Sequence, residues 1–345
     1  MQKKITRLEH PCEHHMVGDG FRVAQYIPGY GREMSNETSP FLMLDYNAPW
    51  KLEPQWGHRP WVGYHPHRGF ETVTIVYSGE VEHQDTAGHG GVIWPDEVQW
   101  MTAGSGLLHN EHMTERFSAM GGIQHAVQLW VNLPREQKMT TPRYQALTRE
   151  NIPEVIFQWG KVRVIAGQLS MNNGQWTMIE QTGAAKTFSP VELYDVRFFS
   201  DSIESENNTD SSFHSEWQKP QKSRITFTFP EWYNTMILVT EWTIIANGKT
   251  LENGDMLHFS QEGTDIVLEY VSGSIQSKTP LNPITPHPSG SPIRGAFGKA
   301  QVLVMAGKPL DEPVAAYGPF VMNTQAEIMQ AFQDLKEGKM GVVED

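Results

Sequence analysis

Short runs of β-branched and aromatic residues, separated by glycine-centred turns, recur along most of the chain. Val73-Thr74-Ile75-Val76-Tyr77 is one such run. Ser78-Gly79-Glu80 and then Val81-Glu82-His83-Gln84-Asp85 follow it, which predicts a hairpin with Gly79 in the turn. Gly88-His89-Gly90-Gly91 predicts another turn. Val92-Ile93-Trp94, Val98-Gln99-Trp100-Met101 and Ala126-Val127-Gln128-Leu129-Trp130-Val131 predict further strands. The same texture returns at residues 162–166, 225–229, 236–240 and 266–270. Such spacing predicts an all-β chain of antiparallel barrels or sandwiches. Two halves of similar texture fit an internal duplication, with a boundary at residues 146–154. The expected domains are therefore 1–150 and 151–345.

Two segments interrupt the pattern. Residues 201–221 are polar and rich in Ser, Asn and Glu, and read as a solvated insertion. Residues 272–295 carry Pro280, Pro283, Pro286, Pro288 and Pro292, which excludes a central strand and predicts a covering loop. One helix is marked near the end. Thr324-Gln325-Ala326-Glu327 is a capping box, Ile328, Phe332 and Leu335 share a face, and Gly338 supplies a stop. The helix is expected to pack on a sheet in a structural role.

Composition narrows the function classes. The length of 345 residues suits two domains. The net charge of −13 argues against holding a polyanion through a basic face, so direct nucleic-acid binding is not expected. The single cysteine, Cys12, excludes an internal disulfide and a cysteine-based zinc site. That fits a reducing compartment, most simply the cytoplasm. Two lysines near Met1 have no apolar run behind them, so no secretory signal is expected. Without one, the sequons at Asn36 and Asn207 are chance matches. No stretch reaches the roughly 18 apolar residues of a membrane helix. Histidine, at 14, is more than half as common as Lys and Arg together at 27, which invites a search for a metal site.

His65-Pro66-His67 places two imidazoles on one face of an extended segment. His109-Asn110-Glu111 repeats that spacing some 40 residues on. If the two segments face each other, three neutral nitrogens and one carboxylate converge. That set suits a first-row divalent metal: iron, manganese, nickel, copper or zinc. Gly104 and Gly106 allow the second segment to turn into place.

The stretch from His65 to Thr74 resembles the pirin family of the cupin superfamily. So do Gln99-Trp100-Met101-Thr102-Ala103-Gly104, His109 with Glu111, and Gln128-Leu129-Trp130-Val131-Asn132-Leu133. Ala306-Gly307-Lys308-Pro309-Leu310 and Gly318-Pro319-Phe320-Val321-Met322-Asn323-Thr324 resemble its C-terminal sequence. The resemblance is dense over residues 50–150 and 300–340 and loose from 185 to 295. It implies a bicupin, two jelly-roll-like β-barrels with one iron(II) in the first. The implied ligands are His65, His67, His109 and Glu111, the same four that spacing selects. Some pirins are reported to cleave flavonols such as quercetin with dioxygen; others act as redox-sensitive partners of transcription factors or metabolic enzymes. Family membership therefore bears more on the site than on the activity.

Other candidates carry less. Glu71, four positions after His67, would share its face if one strand ran through both, and otherwise has a supporting or structural role. His112 points away from Glu111. His10, Cys12, His14 and His15 have no partner set at usable spacing. Trp94, Trp100 and Trp130 suit barrel core or cavity lining. The second half has no H-x-H, as expected for a barrel that lacks metal. The leading expectation is a flavonol dioxygenase that takes a small aromatic substrate. In it Glu111 is both a ligand and the acceptor of the substrate's hydroxyl proton. The alternatives are a redox-sensitive regulator acting on a protein partner, or a bicupin with a vestigial metal. A monomer is expected.

Overall fold

The computed structural model describes residues 1–27, 36–173, 178–199, 222–271 and 298–343. The expected insertions at 201–221 and 272–295 lie outside the described residues.

The first half holds two sheets. One has seven strands, in the order Arg143–Leu147, Glu97–Thr102, Phe70–Ser78, Gly122–Asn132, Phe41–Leu52, Phe21–Ile27 and His15–Val17. The other has four: Trp61–His67, Leu107–Met113, Val81–Asp85 and Gly90–Ile93. Side chains join the two across the barrel, as where Gln99 meets His83 and Gln128 meets Glu111. The second half pairs a seven-stranded sheet with a six-stranded one. Both halves are antiparallel barrels, as the turn-rich pattern predicts.

The two seven-stranded sheets pack face to face. Val73, Ile75, Trp100, Leu129 and Val131 of the first half share one apolar core with Leu193, Met236, Leu238, Leu303 and Met305 of the second. Alternation along each strand sends the intervening residues to the opposite face. In the second barrel those residues are Val162, Val164, Tyr194, Ile237, Val302 and Val304, packed with Phe227 and Leu268 into a solid apolar core. In the first barrel they include Thr74 and Gln128, which contact Glu111. The two interiors thus differ in chemistry: the second is an apolar cluster, whereas the first carries polar side chains in contact with Glu111.

The expected hairpin at Gly79 does not form. Phe70–Ser78 pairs with Gly122–Asn132 and Glu97–Thr102, whereas Val81–Asp85 pairs with Leu107–Met113 and Gly90–Ile93. Gly79 (φ +89°) carries the chain from one sheet to the other. The reason lies in burial: all but the last residue of Phe70–Ser78 are buried, so both faces need cover, as in a central strand.

The chain ends cross between the halves. Ile5–Glu9 pairs with Met256–Phe259 in the second barrel. The C-terminal helix Gln325–Lys336 has the capping box at Thr324 and packs on the hairpin Ala315–Tyr317 and Phe320–Met322. That unit docks on the first barrel, where Val321 bonds to the backbone of Arg68. Among the described residues, no helix is long and apolar enough to cross a membrane.

Candidate metal centre

Trp61–His67 and Leu107–Met113 are antiparallel neighbours, and His109 lies directly opposite His65. Side chains two apart on a strand share a face, so His67 joins the pair. Ring centroids are 4.2 Å apart for His65 and His109, 4.7 Å for His65 and His67, and 4.8 Å for His67 and His109. Their candidate ligand atoms all lie within 4.8 Å of one another. His67 and His109 are buried. Burial first, and the neighbouring His65 second, push both well below the usual histidine range, so both rings are neutral.

The residues fit a metal. Neutral imidazole is the ligating form. His65 Nδ1 lies 2.8 Å from the carbonyl oxygen of Gly63 and donates to it, which frees Nε2. His109 Nε2 is buried with no hydrogen-bond partner, as is His67 Nδ1. Buried nitrogens rarely go unpaired. Packing fixes His67, whose ring meets Trp130 edge-on at 5.0 Å, and Trp130 stacks on Phe70 at 4.1 Å.

Glu111 lies beside this group without being one of the three. A register shift between His109 and Glu111 sets Glu111 opposite Val62. Both its carboxylate oxygens accept from Gln128 Nε2 at 3.0 Å, and Thr74 Oγ1 donates to Oε1 at 3.4 Å. Glu111, Gln128 and Thr74 line a cavity of about 30 Å³ with Asp45, Asn47, Phe21 and Val62. That is room for about one water. Burial pushes the Asp45 carboxyl up to about 6, against a hydrogen bond from Gln25.

Glu71 is not part of the site. The strand that carries His67 ends there, Gly69 (φ +86°) turns the chain, and a new strand starts at Phe70. Glu71 accepts from Thr102 Oγ1 at 2.7 Å, and burial raises it to about 7. His112 stacks on Trp61 at 5.3 Å. His10 pairs with Asp255, and Cys12 is exposed. Trp100 is core between the barrels. One residue that spacing did not single out is His83, buried 3.3 Å from His109, Nδ1 to Nδ1. Its signal was present as His83-Gln84-Asp85, a further pair of metal-chemistry residues two apart.

Two antiparallel barrels joined face to face, with a metal-ligand histidine cluster in the first alone among the described residues, define a bicupin. The pirin family model matches residues 20–131, and the pirin C-terminal cupin domain model matches residues 289–341. A Pseudomonas aeruginosa protein provisionally named a quercetin 2,3-dioxygenase is 36% identical over 339 residues, 98% of each chain. A pirin-like protein of Solanum lycopersicum is 32% identical over 326 residues, 94% of this chain and 88% of its own. The crystal structure of a quercetin 2,3-dioxygenase from Acinetobacter baumannii matches with a TM-score of 0.76 at 36% identity, covering 100% of both chains. The chain belongs to the pirin family.

Proposed function

We propose that this chain is a metal-dependent dioxygenase acting on a flavonol-type aromatic substrate. The observation that carries the reading is the cluster of His65, His67 and His109, with Glu111 two residues beyond His109 on the same strand and lining a small cavity. The names of the relatives from Pseudomonas aeruginosa and Acinetobacter baumannii support the same substrate class.

His65, His67 and His109 would hold the metal, with Glu111 as the fourth ligand and iron(II) as the first choice of ion. Such an ion supplies open coordination positions and the redox chemistry that engages dioxygen. Glu111 accepts the proton of the substrate's 3-hydroxyl, and Gln128 keeps the carboxylate turned toward the cavity. Phe21, Val23 and Val62 give the apolar wall that an aromatic ring needs. A three-ring substrate exceeds the cavity as folded, so binding requires the cavity to widen.

The test is flavonol consumption by iron-loaded protein under air, compared with a His65→Ala, His109→Ala double variant. Loss of flavonol in the wild type alone is expected. Equal rates in the two would sink the reading.

One observation favours a second reading. The C-terminal unit bonded to Arg68, next to His67, presents exposed Tyr317, Met329 and Phe332. An apolar patch tied to the ligand strand suits a redox-sensitive regulator that meets a protein partner there. Partner capture from the parent lysate under oxidising and reducing conditions separates the two. Identical capture in both would count against regulation.

A further inference from the structure

His83 lies on Val81–Asp85, opposite Glu111 on the neighbouring strand, and is 1% exposed. It is not one of the three clustered histidines, yet its contacts lead straight to one. Gln99 Nε2 lies 3.1 Å from His83 Nδ1. With the Gln99 amide nitrogen as donor, His83 Nδ1 is the acceptor of that contact. His83 Nε2 lies 3.5 Å from Asp85 Oδ2 and, like His109 Nε2, is buried with no hydrogen-bond partner.

The same acceptor nitrogen is 3.3 Å from His109 Nδ1. An N–H on His109 Nδ1 directed at His83 would leave the lone pair on His109 Nε2, a buried atom without a partner. Asp85 is itself pinned. The backbone N–H groups of Ala87 and His89 each donate to Oδ1 at 2.9 Å, and His89 Nδ1 lies 3.1 Å from Oδ2. Tyr144 stacks on the His83 ring at 5.3 Å and holds its plane.

We propose that Asp85 and His83 are positioning residues that fix the tautomer and angle of His109 and thereby set the metal affinity of the site. The proposal rests on the reading that the three histidines bind a metal. Outer partners of a metal-bound histidine commonly carry 10–100-fold in affinity. His83→Leu removes the acceptor, and His83→Asn keeps a polar side-chain atom near the place of Nδ1.

The experiment is titration of cobalt(II) into metal-free full-length protein, followed by visible absorption, with thermal unfolding of each variant as the fold control. His83→Leu is expected to weaken cobalt binding about 10–100-fold and to alter the absorption bands. His83→Asn is expected to recover most of the affinity. Wild-type affinity and bands in a folded His83→Leu protein would overturn the relay while leaving the metal reading intact. A wild type that takes up no cobalt would overturn both. Should His83→Leu fail to fold, Asp85→Asn decides: weaker binding supports the relay and unchanged binding overturns it.

Discussion

Arg68 and Asp334, 266 positions apart, form a buried ion pair at 2.8 Å. Arg68 Nε also donates to the Ser105 carbonyl at 2.7 Å, and Gln330 and Lys339 reach the other oxygen of Asp334 at 2.9 Å. The C-terminal helix is thereby anchored to the residue that follows His67. A buried charge that loses its partner costs about 3–5 kcal/mol. Asp334→Ala is expected to lose stability on that scale in urea unfolding. A loss below about 1 kcal/mol would mean that the guanidinium finds compensation elsewhere.

Gly69 makes this contact geometrically feasible. Its φ is +86°, and a Cβ there would lie 2.0 Å from the Val321 carbonyl oxygen. Left-handed backbone costs an L-residue roughly 1–2 kcal/mol before any clash. Here the clash is with backbone, which cannot rotate away. Gly69→Ala should therefore lower stability by more than about 2 kcal/mol and part the C-terminal hairpin from the first barrel. Thermal unfolding and hydrogen exchange at Val321 check this. Unchanged protection at Val321 would show that the hairpin stays docked.

The histidine cluster was legible because a strand repeats every two residues, so H-x-H and H-x-E each declare a face. Their convergence through the pairing of His109 with His65 confirms that logic for the three imidazoles. Glu111 was less legible, because the register shift beside it leaves no mark in the spacing. The Gly79 hairpin failed for a related reason. Turn chemistry sees two adjacent runs, whereas the choice of sheet depends on which run must be buried on both faces. The exchange of chain ends rests on contacts over more than 200 positions, such as Lys3 Nζ to the carbonyls of Tyr233, Ser260 and Gln261. No local pattern encodes those.

Glu241 gives the interface between the barrels a pH dependence. Burial lifts its carboxyl from 4.5 to about 7; Arg197 opposes this, while Asp195 and Asp96 add to it. Below pH 4.5 the folded and unfolded chains both hold the proton, so no penalty exists. From pH 4.5 to about 7 the unfolded chain releases it first, and this group's contribution to stability falls as pH rises. Above pH 7 the full penalty stands. Glu241→Gln should thus stabilise the protein at pH 8 by roughly 1–3 kcal/mol and change little at pH 4.5. Unfolding free energies at the two pH values decide it; an equal effect at both would refute the titration.

Gln128 offers the sharpest test of the fourth ligand. Its single amide nitrogen donates to both oxygens of Glu111 at 3.0 Å, and nothing else shown to hold that carboxylate is as close. Gln128→Leu is nearly the same size and fills the cavity wall, so the fold should survive. The carboxylate would lose its orientation and keep only the Thr74 hydroxyl at 3.4 Å. If Glu111 coordinates the metal, affinity should fall about tenfold or more, the usual weight of a partner that orients a ligand. Competition with a chelator measures the change. An unchanged dissociation constant would place Glu111 outside the coordination sphere, leaving the three histidines as the whole protein contribution.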